Sequence, residues 1–155
     1  DCGNCVFRLS CVAFEKKLVA ELPVKSKKTK VTQRFFYYLI LKNGKHTFVR
    51  QRSAKDIWNG LYDFPLIESE SVLQEKLVMK SSSWKKVIGN VAIKINSVSD
   101  EHIHLLSHQK LHVRFVFAEV KKKAVMPKIF RKILIDKLTD LAFPAIFKKN
   151  LSKLF

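Results

Sequence analysis

Residues 34–42 (RFFYYLILK) are an almost unbroken run of aromatic and aliphatic side chains closed by charge at both ends. A run of this length and composition fits a strand buried on both faces, and such a strand needs cover above and below it. Asn43-Gly44 follows directly and is a strong short hairpin signal. Residues 45–52 (KHTFVRQR) then place Phe48 and Val49 among polar neighbours and read as the return strand. The aromatic-rich segment 53–65 matches neither period and is expected to cap the core. A helix is expected over 70–80, with Val72, Leu73, Leu77 and Val78 near one face and Ser69 or Ser71 as its cap. Ser81-Ser82-Ser83 ends it, and 84–88 is ambiguous. Residues 91–98 alternate as a strand, Ser99-Asp100-Glu101 turns the chain, and strands are expected over 101–105 and 111–121. Residues 129–135 suit either strand or helix. Pro144 opens a closing helix over 144–154, and a helix ends within 12–19. The order predicts an α+β sandwich, a largely antiparallel mixed sheet flanked by helices.

Charge then narrows the partner. Thirty Lys and Arg stand against thirteen Asp and Glu, a formal net charge of +17. That surplus favours polyanions, through steering and counterion release, over anionic membrane. Hydrophobic residues make up 47% of the chain, too many for a polar tail. No apolar run approaches the ~20 residues that span a bilayer. Residues 22–30 are basic, poor in apolar side chains and carry Pro23, a linker composition whose Lys27, Lys28 and Lys30 suit phosphate contact. From Lys121 onward ten Lys and Arg face only Asp136 and Asp140. Three cysteines crowd the start as Cys2-x2-Cys5-x5-Cys11. Thiolates so spaced can converge on a metal or cluster, yet three are one short of the usual four. A fourth lies upstream in a longer protein, or the thiols are idle.

The stretch Leu105-Leu106-Ser107-His108-Gln109-Lys110-Leu111-His112 joins two expected strands and brings a hydroxyl and imidazoles to their junction. On its own it is an ordinary loop. His102, His104, His108 and His112 raise a zinc site, but nothing in their spacing makes four imidazoles converge and no Cys lies nearby.

Several motifs together resemble one family, the adenine DNA glycosylases of MutY type. The cysteines resemble the last three ligands of its C-x6-C-x2-C-x5-C loop, and Leu22-Pro23-Val24-Lys25 resembles its interdomain connector. Trp58-Asn59-Gly60-Leu61-Tyr62-Asp63-Phe64-Pro65 is similar to its W-x-G-L-W-E-F-P segment. His104-Leu105-Leu106-Ser107-His108 is similar to its H-T-F-S-H loop, with Leu106 in place of the phenylalanine. Leu141-Ala142-Phe143-Pro144 is similar to a late L-A-L-P element. The resemblance runs in order through nearly the whole chain.

It implies a MutT/Nudix-like fold over 32–155, a linker over 12–31, and a cluster-loop remnant over 1–11. Catalysis would belong to a preceding domain, and the 4Fe-4S cluster held by Cys2, Cys5, Cys11 and an upstream cysteine would form only in the longer protein. This chain would then be inactive alone and monomeric, and would work in a bacterial cytoplasm, nucleoid-associated. It would recognise 8-oxoguanine opposite adenine in double-stranded DNA. Ser107 would read the lesion, with His108 bracing or touching the backbone and Leu106 as an apolar wedge without aromatic stacking. Gln109 and Lys110 would meet sugar or phosphate. Two rivals stand beside this. A Nudix hydrolase needs G-x5-E-x7-R-E-U-x-E-E-x-G, but Leu66 stands where the first Glu belongs, and Glu68, Glu70 and Glu75 are scattered. A generic basic nucleic-acid module would show no lesion preference.

Overall fold

A computed structural model of the chain describes residues 1–22, 24, 30–53, 55–74, 78–121, 123, 125–148 and 154. They form two compact units, 1–30 and 31–155. The first holds a 3-10 turn, Arg8–Ser10, and a short helix α1, Val12–Glu15. The guanidinium of Arg8 lies 4.9 Å from the Phe14 ring centroid.

The second unit is built around β1 (Thr32–Lys42). Its side chains alternate between two cores, as a strand's period of two requires. Phe36, Tyr38 and Ile40 enter one, and Tyr37, Leu39 and Leu41 enter the other. Burying each such side chain contributes roughly 1.5–3 kcal/mol, so this strand alone carries much of the apolar driving force. It pairs in parallel with β7 (Gln109–Val120) from Thr32↔Gln109 to Lys42↔Glu119, and antiparallel with β4 (Leu66–Ser69). The other edge of β7 carries β6 (His102–Leu105) and β5 (Ile93–Val98). A smaller sheet runs β3 (Tyr62–Asp63), β2 (His46–Gln51), β8 (Arg131–Leu134). One core is closed by Phe64, Leu138, Phe143 and Phe147, from the 3-10 segment Ile135–Asp140 and helix α3 (Ala145–Lys148) among others. The other is closed by Val78, Ile88, Met126 and Phe130. The expected α+β sandwich is thereby the observed fold.

Three local expectations differ. The Asn43-Gly44 turn forms, with Gly44 at φ 63° and Asn43 bridging His46, but β1 and β2 do not continue as a ladder. β7 takes one edge of β1 along its length and β4 takes the other over Phe35–Tyr38, and β2 pairs with β3 and β8 in the second sheet. Asn43 Nδ2 ties the turn to the end of β7 by donating to the Lys121 carbonyl at 2.7 Å.

The helix expected over 70–80 is absent from residues 70–74; residues 75–77 lie outside the described set. The Tyr37 hydroxyl accepts from the Leu73 N–H (2.7 Å) and donates to the Leu73 carbonyl (3.2 Å), holding both backbone groups away from a helical ladder. Val78 is helical and its N–H donates to the Gln74 carbonyl at 3.1 Å, so the end of the expected helix forms, and a second helix follows as α2 (Ser82–Ile88). The serines expected to end a helix begin one: Ser81 Oγ accepts from the Trp84 N–H at 3.2 Å, as an N-cap should.

Candidate nucleic-acid interface

The β6–β7 junction is an exposed feature held by the sheet. The last rung of the ladder is Leu105↔Lys110, and the Leu106 N–H donates to the Gln109 carbonyl at 2.8 Å. Only Ser107 and His108 remain outside the pairing, and both are exposed. Neither takes a positive φ, so the link lacks the primed turn that usually closes so short a hairpin. A third strand supplies the brace: Thr32, the first residue of β1, donates its N–H to the His108 carbonyl at 3.0 Å. The Ser107 hydroxyl makes no hydrogen bond among the described residues.

Around this link the expected site residues divide. Leu106 is half-buried and packs against the first core, whereas Leu105 and Ile103, on the opposite face, are 71% and 54% exposed. A wedge role for Leu106 would require it to leave that core. Gln109 and Lys110 are half-buried in β7, and Lys30 is exposed. Lys27 and Lys28 lie outside the described residues. The histidines do not gather. His104 faces the Trp58 ring (5.7 Å between centroids) and His102 faces Phe115 (5.5 Å). His112 stacks on Phe35 at 4.5 Å, with Nε2 2.9 Å from Gln33 Oε1. No group of three His, Cys, Asp or Glu among the described residues is placed to hold a metal ion.

That result also bears on the cysteines. Cys2, Cys5 and Cys11 are free thiols, Cys5 exposed and the others half-buried. Three thiolates do not meet the four-ligand need of a 4Fe-4S cluster, and as placed they do not converge, so the residues present do not fit that group.

Beneath the turn lies a charged network that the sequence reading did not identify. Arg34 on β1 donates to Glu68 through Nε (2.6 Å) and Nη2 (2.9 Å), and to both Asp56 oxygens at 2.8 Å. Its Nη1 also donates to Gln109 Oε1 at 3.1 Å. Asp56 accepts in turn from Arg52 Nη2 (2.9 Å), and Arg52 Nη1 reaches Asp63 at 2.8 Å. Arg50 Nε completes the row at 3.0 Å from Asp63. The hydrogen bonds from Arg34 hold the Asp56 carboxyl down at about 2, and the same partners push the Arg34 guanidinium well above its ordinary value.

The network positions the aromatic loop. Arg52 Nε donates to the Ile57 carbonyl (3.0 Å) just before Trp58, whose backbone sits at φ 61°. The Trp58 ring meets the edge of Phe36 at 6.5 Å. A signal for this was present in the sequence: Arg50 and Arg52 share one face of a strand beside a loop carrying two of the chain's few acids.

Among the described residues no hydrolytic metal site assembles here, and Glu75 lies outside them. Glu68 is engaged by Arg34, and Glu70 is exposed and belongs to no acidic group among the described residues.

Comparison with known proteins agrees with this geometry. Residues 36–153 match the family model NUDIX_4, a NUDIX domain. Over 113 residues the chain is 24% identical to the adenine DNA glycosylase of Buchnera aphidicola subsp. Schizaphis graminum, covering 72% of this chain and 30% of that protein. Over 114 residues it is 25% identical to the enzyme of the same name from Buchnera aphidicola subsp. Acyrthosiphon pisum. The chain thus spans about three-tenths of the length of these relatives. Among solved structures, the C-terminal domain of mouse MUTYH in complex with human PCNA superposes with a TM-score of 0.57 at 15% identity, covering 78% of this chain and 86% of that one. The Nudix hydrolase RenU of M. smegmatis superposes at 0.56 and 10% identity, covering 84% and 86%. At these identities the likeness is one of fold. The chain belongs to the NUDIX domain family, in the NUDIX_4 form that MutY-type proteins carry at the C-terminus.

Proposed function

We propose that this chain is the 8-oxoguanine-reading C-terminal domain of an adenine DNA glycosylase, a protein that removes adenine mispaired with that lesion. The observation that carries the reading is Ser107: exposed, without a hydrogen-bond partner among the described residues, and set on a turn braced by β1. Oxidation of guanine turns N7 from acceptor to donor and adds an oxygen at C8. A hydroxyl both accepts and donates, so Ser107 complements the altered edge, whereas intact guanine offers two acceptors there. Such a contact contributes about 1–3 kcal/mol of discrimination. His108, exposed beside it, and Gln109, Lys110, Lys27, Lys28 and Lys30 would hold sugar and phosphate, which positions the duplex without reading it. Leu106 serves this best by bracing the turn from below.

In the longer protein, adenine would be flipped out and cleaved by a separate catalytic domain. A 4Fe-4S cluster would need a cysteine beyond the three here. The protein would act as a monomer in the bacterial cytoplasm; among the described residues no helix is long and apolar enough to cross a membrane. The test is Ser107→Ala in the full-length enzyme. The preference for 8-oxoguanine over guanine opposite adenine should fall by five-fold or more, in line with the ~1–3 kcal/mol of such a contact. Unchanged discrimination removes the role assigned to the turn.

A further inference from the structure

We propose that Arg34 is the positioning residue that fixes the amide of Gln109, so that its nitrogen is presented beside the reading turn as a donor to a nucleic-acid phosphate or sugar oxygen. This rests on the reading of the turn given above. Oxygen and nitrogen of a glutamine amide are interchangeable in shape, and a neighbour of fixed polarity decides between them. A guanidinium is donor only. Arg34 Nη1 lies 3.1 Å from the Gln109 side chain, so the atom it meets is Oε1. Nε2 is then turned away from Arg34. It makes no hydrogen bond among the described residues, and it is not among the buried polar atoms left without a partner, so solvent reaches it.

Arg34 is itself immobile. Asp56 and Glu68 each receive two bonds from it, and its guanidinium carbon sits 4.9 Å from the Phe36 ring centroid. Its side chain is only 16% exposed. A fork held at four points gives Gln109 one orientation and not two. Gln109 directly follows Ser107 and His108, and its backbone carbonyl closes the turn by accepting from Leu106. A donor at this position suits an oxygen-rich backbone and carries no base information. Its effect is on affinity, leaving choice of base to Ser107.

The experiment is a double-mutant cycle in the full-length protein. Binding is measured on a duplex carrying 8-oxoguanine opposite an uncleavable adenine analogue, with thermal unfolding recorded for every variant. Gln109→Ala should weaken binding about five-fold or more, the size of one hydrogen bond to a sugar oxygen at the low end and to a charged phosphate at the high end. Arg34→Lys keeps a cation but cannot grip both carboxylates and the amide at once, and should weaken binding similarly. The combined variant should bind no worse than Gln109→Ala alone, because the proposed effect of Arg34 on binding runs through that amide. Gln109→Glu, which can still accept from Arg34 but offers no donor, should weaken binding at least as much as Gln109→Ala. Additive losses, or Arg34→Lys that lowers thermal stability while leaving affinity unchanged, overturn the proposal. If Ser107→Ala loses lesion preference while the Gln109 and Arg34 variants bind normally, this inference fails and the reading of the turn stands. If none of the three matters, the turn itself is misread.

Discussion

Asp63 is the place where the network is most exposed to failure, because its carboxylate is fully buried. It accepts from Arg52 Nη1 at 2.8 Å and from Arg50 Nε at 3.0 Å, on opposite oxygens. Asp63→Asn keeps the shape and removes one acceptor. The amide can face its oxygen to one guanidinium, but its NH2 then points at the other, donor against donor. Breaking one partner of a buried ion pair costs about 3–5 kcal/mol. Arg52, 8% exposed, retains Asp56 and the Ile57 carbonyl, and Arg50 is 26% exposed, so the lower end applies. The expected loss is about 3 kcal/mol of a total of roughly 5–15, or a fall in Tm of roughly 10 °C for a domain of this size. Urea unfolding followed by tryptophan fluorescence measures it, with Trp58 placed beside the perturbed loop. Lys137→Ala is the control: its pair with Asp140 is 3.7 Å long with both side chains over 60% exposed, and its loss should cost under about 0.5 kcal/mol. An Asp63→Asn protein within about 1 kcal/mol of wild type would refute the claim that this carboxylate is the anchor, since the cost of a broken buried pair would be missing.

Three further outcomes follow from single groups. The Tyr38 hydroxyl is buried with no partner among the described residues, and burial holds it protonated far above its ordinary range; Tyr38→Phe should stabilise the chain by about 1 kcal/mol in calorimetry. The carboxyl of Asp56 is lowered from 3.8 to about 2, so its contribution is complete above pH 3.8 and is lost as pH falls toward 2. Asp56→Asn should flatten the acid limb of the stability profile in that window and leave the profile above pH 5 parallel to wild type, as read by denaturant midpoints. The purified chain should show no visible iron–sulfur absorbance, while the longer protein with a fourth cysteine should; a shoulder in the chain alone would show that three thiols suffice.

What the sequence made legible was what local pattern controls. The double-sided strand over 34–42 announced itself because every residue in it is apolar or aromatic between two basic ends, and the strands on either side of Ser107 followed from alternation. The first half of the helix expected over 70–80 misled because periodicity cannot see a tyrosine on another strand: Tyr37 reaches across to hold Leu73, while Val78 at the other end is helical. The hairpin misled for a related reason. Asn43-Gly44 specifies a turn, but which strand lies beside β1 is decided by the long parallel match with β7, whose partner residues are 75 or more positions away. The network of Arg34, Asp56, Glu68 and Asp63 was hidden because its members come from β1, the aromatic loop, β3 and β4, and only the sheet order brings them together.

That order also bears on how a strongly basic chain would be selective if the proposed function holds. Positive charge attracts every phosphate alike, and a cation at the reading point would draw intact guanine, with its two acceptors, as well as the lesion. The arginines of the network, Arg34, Arg50 and Arg52, are each matched by a carboxylate from Asp56, Glu68 or Asp63, so the network itself is electrically balanced. The unbalanced charge is carried by exposed lysines such as Lys94, Lys121, Lys123 and Lys132, on other parts of the surface. Lys121 follows the end of β7, which at about 3.3 Å per residue lies tens of ångströms from Gln109 at its start. On the proposed function, Lys110 would meet phosphate beside the turn, while lysines such as Lys121 would draw the polyanion from the far end of the strand. Salt should therefore weaken binding steeply while leaving the ratio between lesion and intact guanine nearly constant. A preference that collapses in parallel with affinity as salt rises would place a charge, and not the hydroxyl of Ser107, at the point of discrimination.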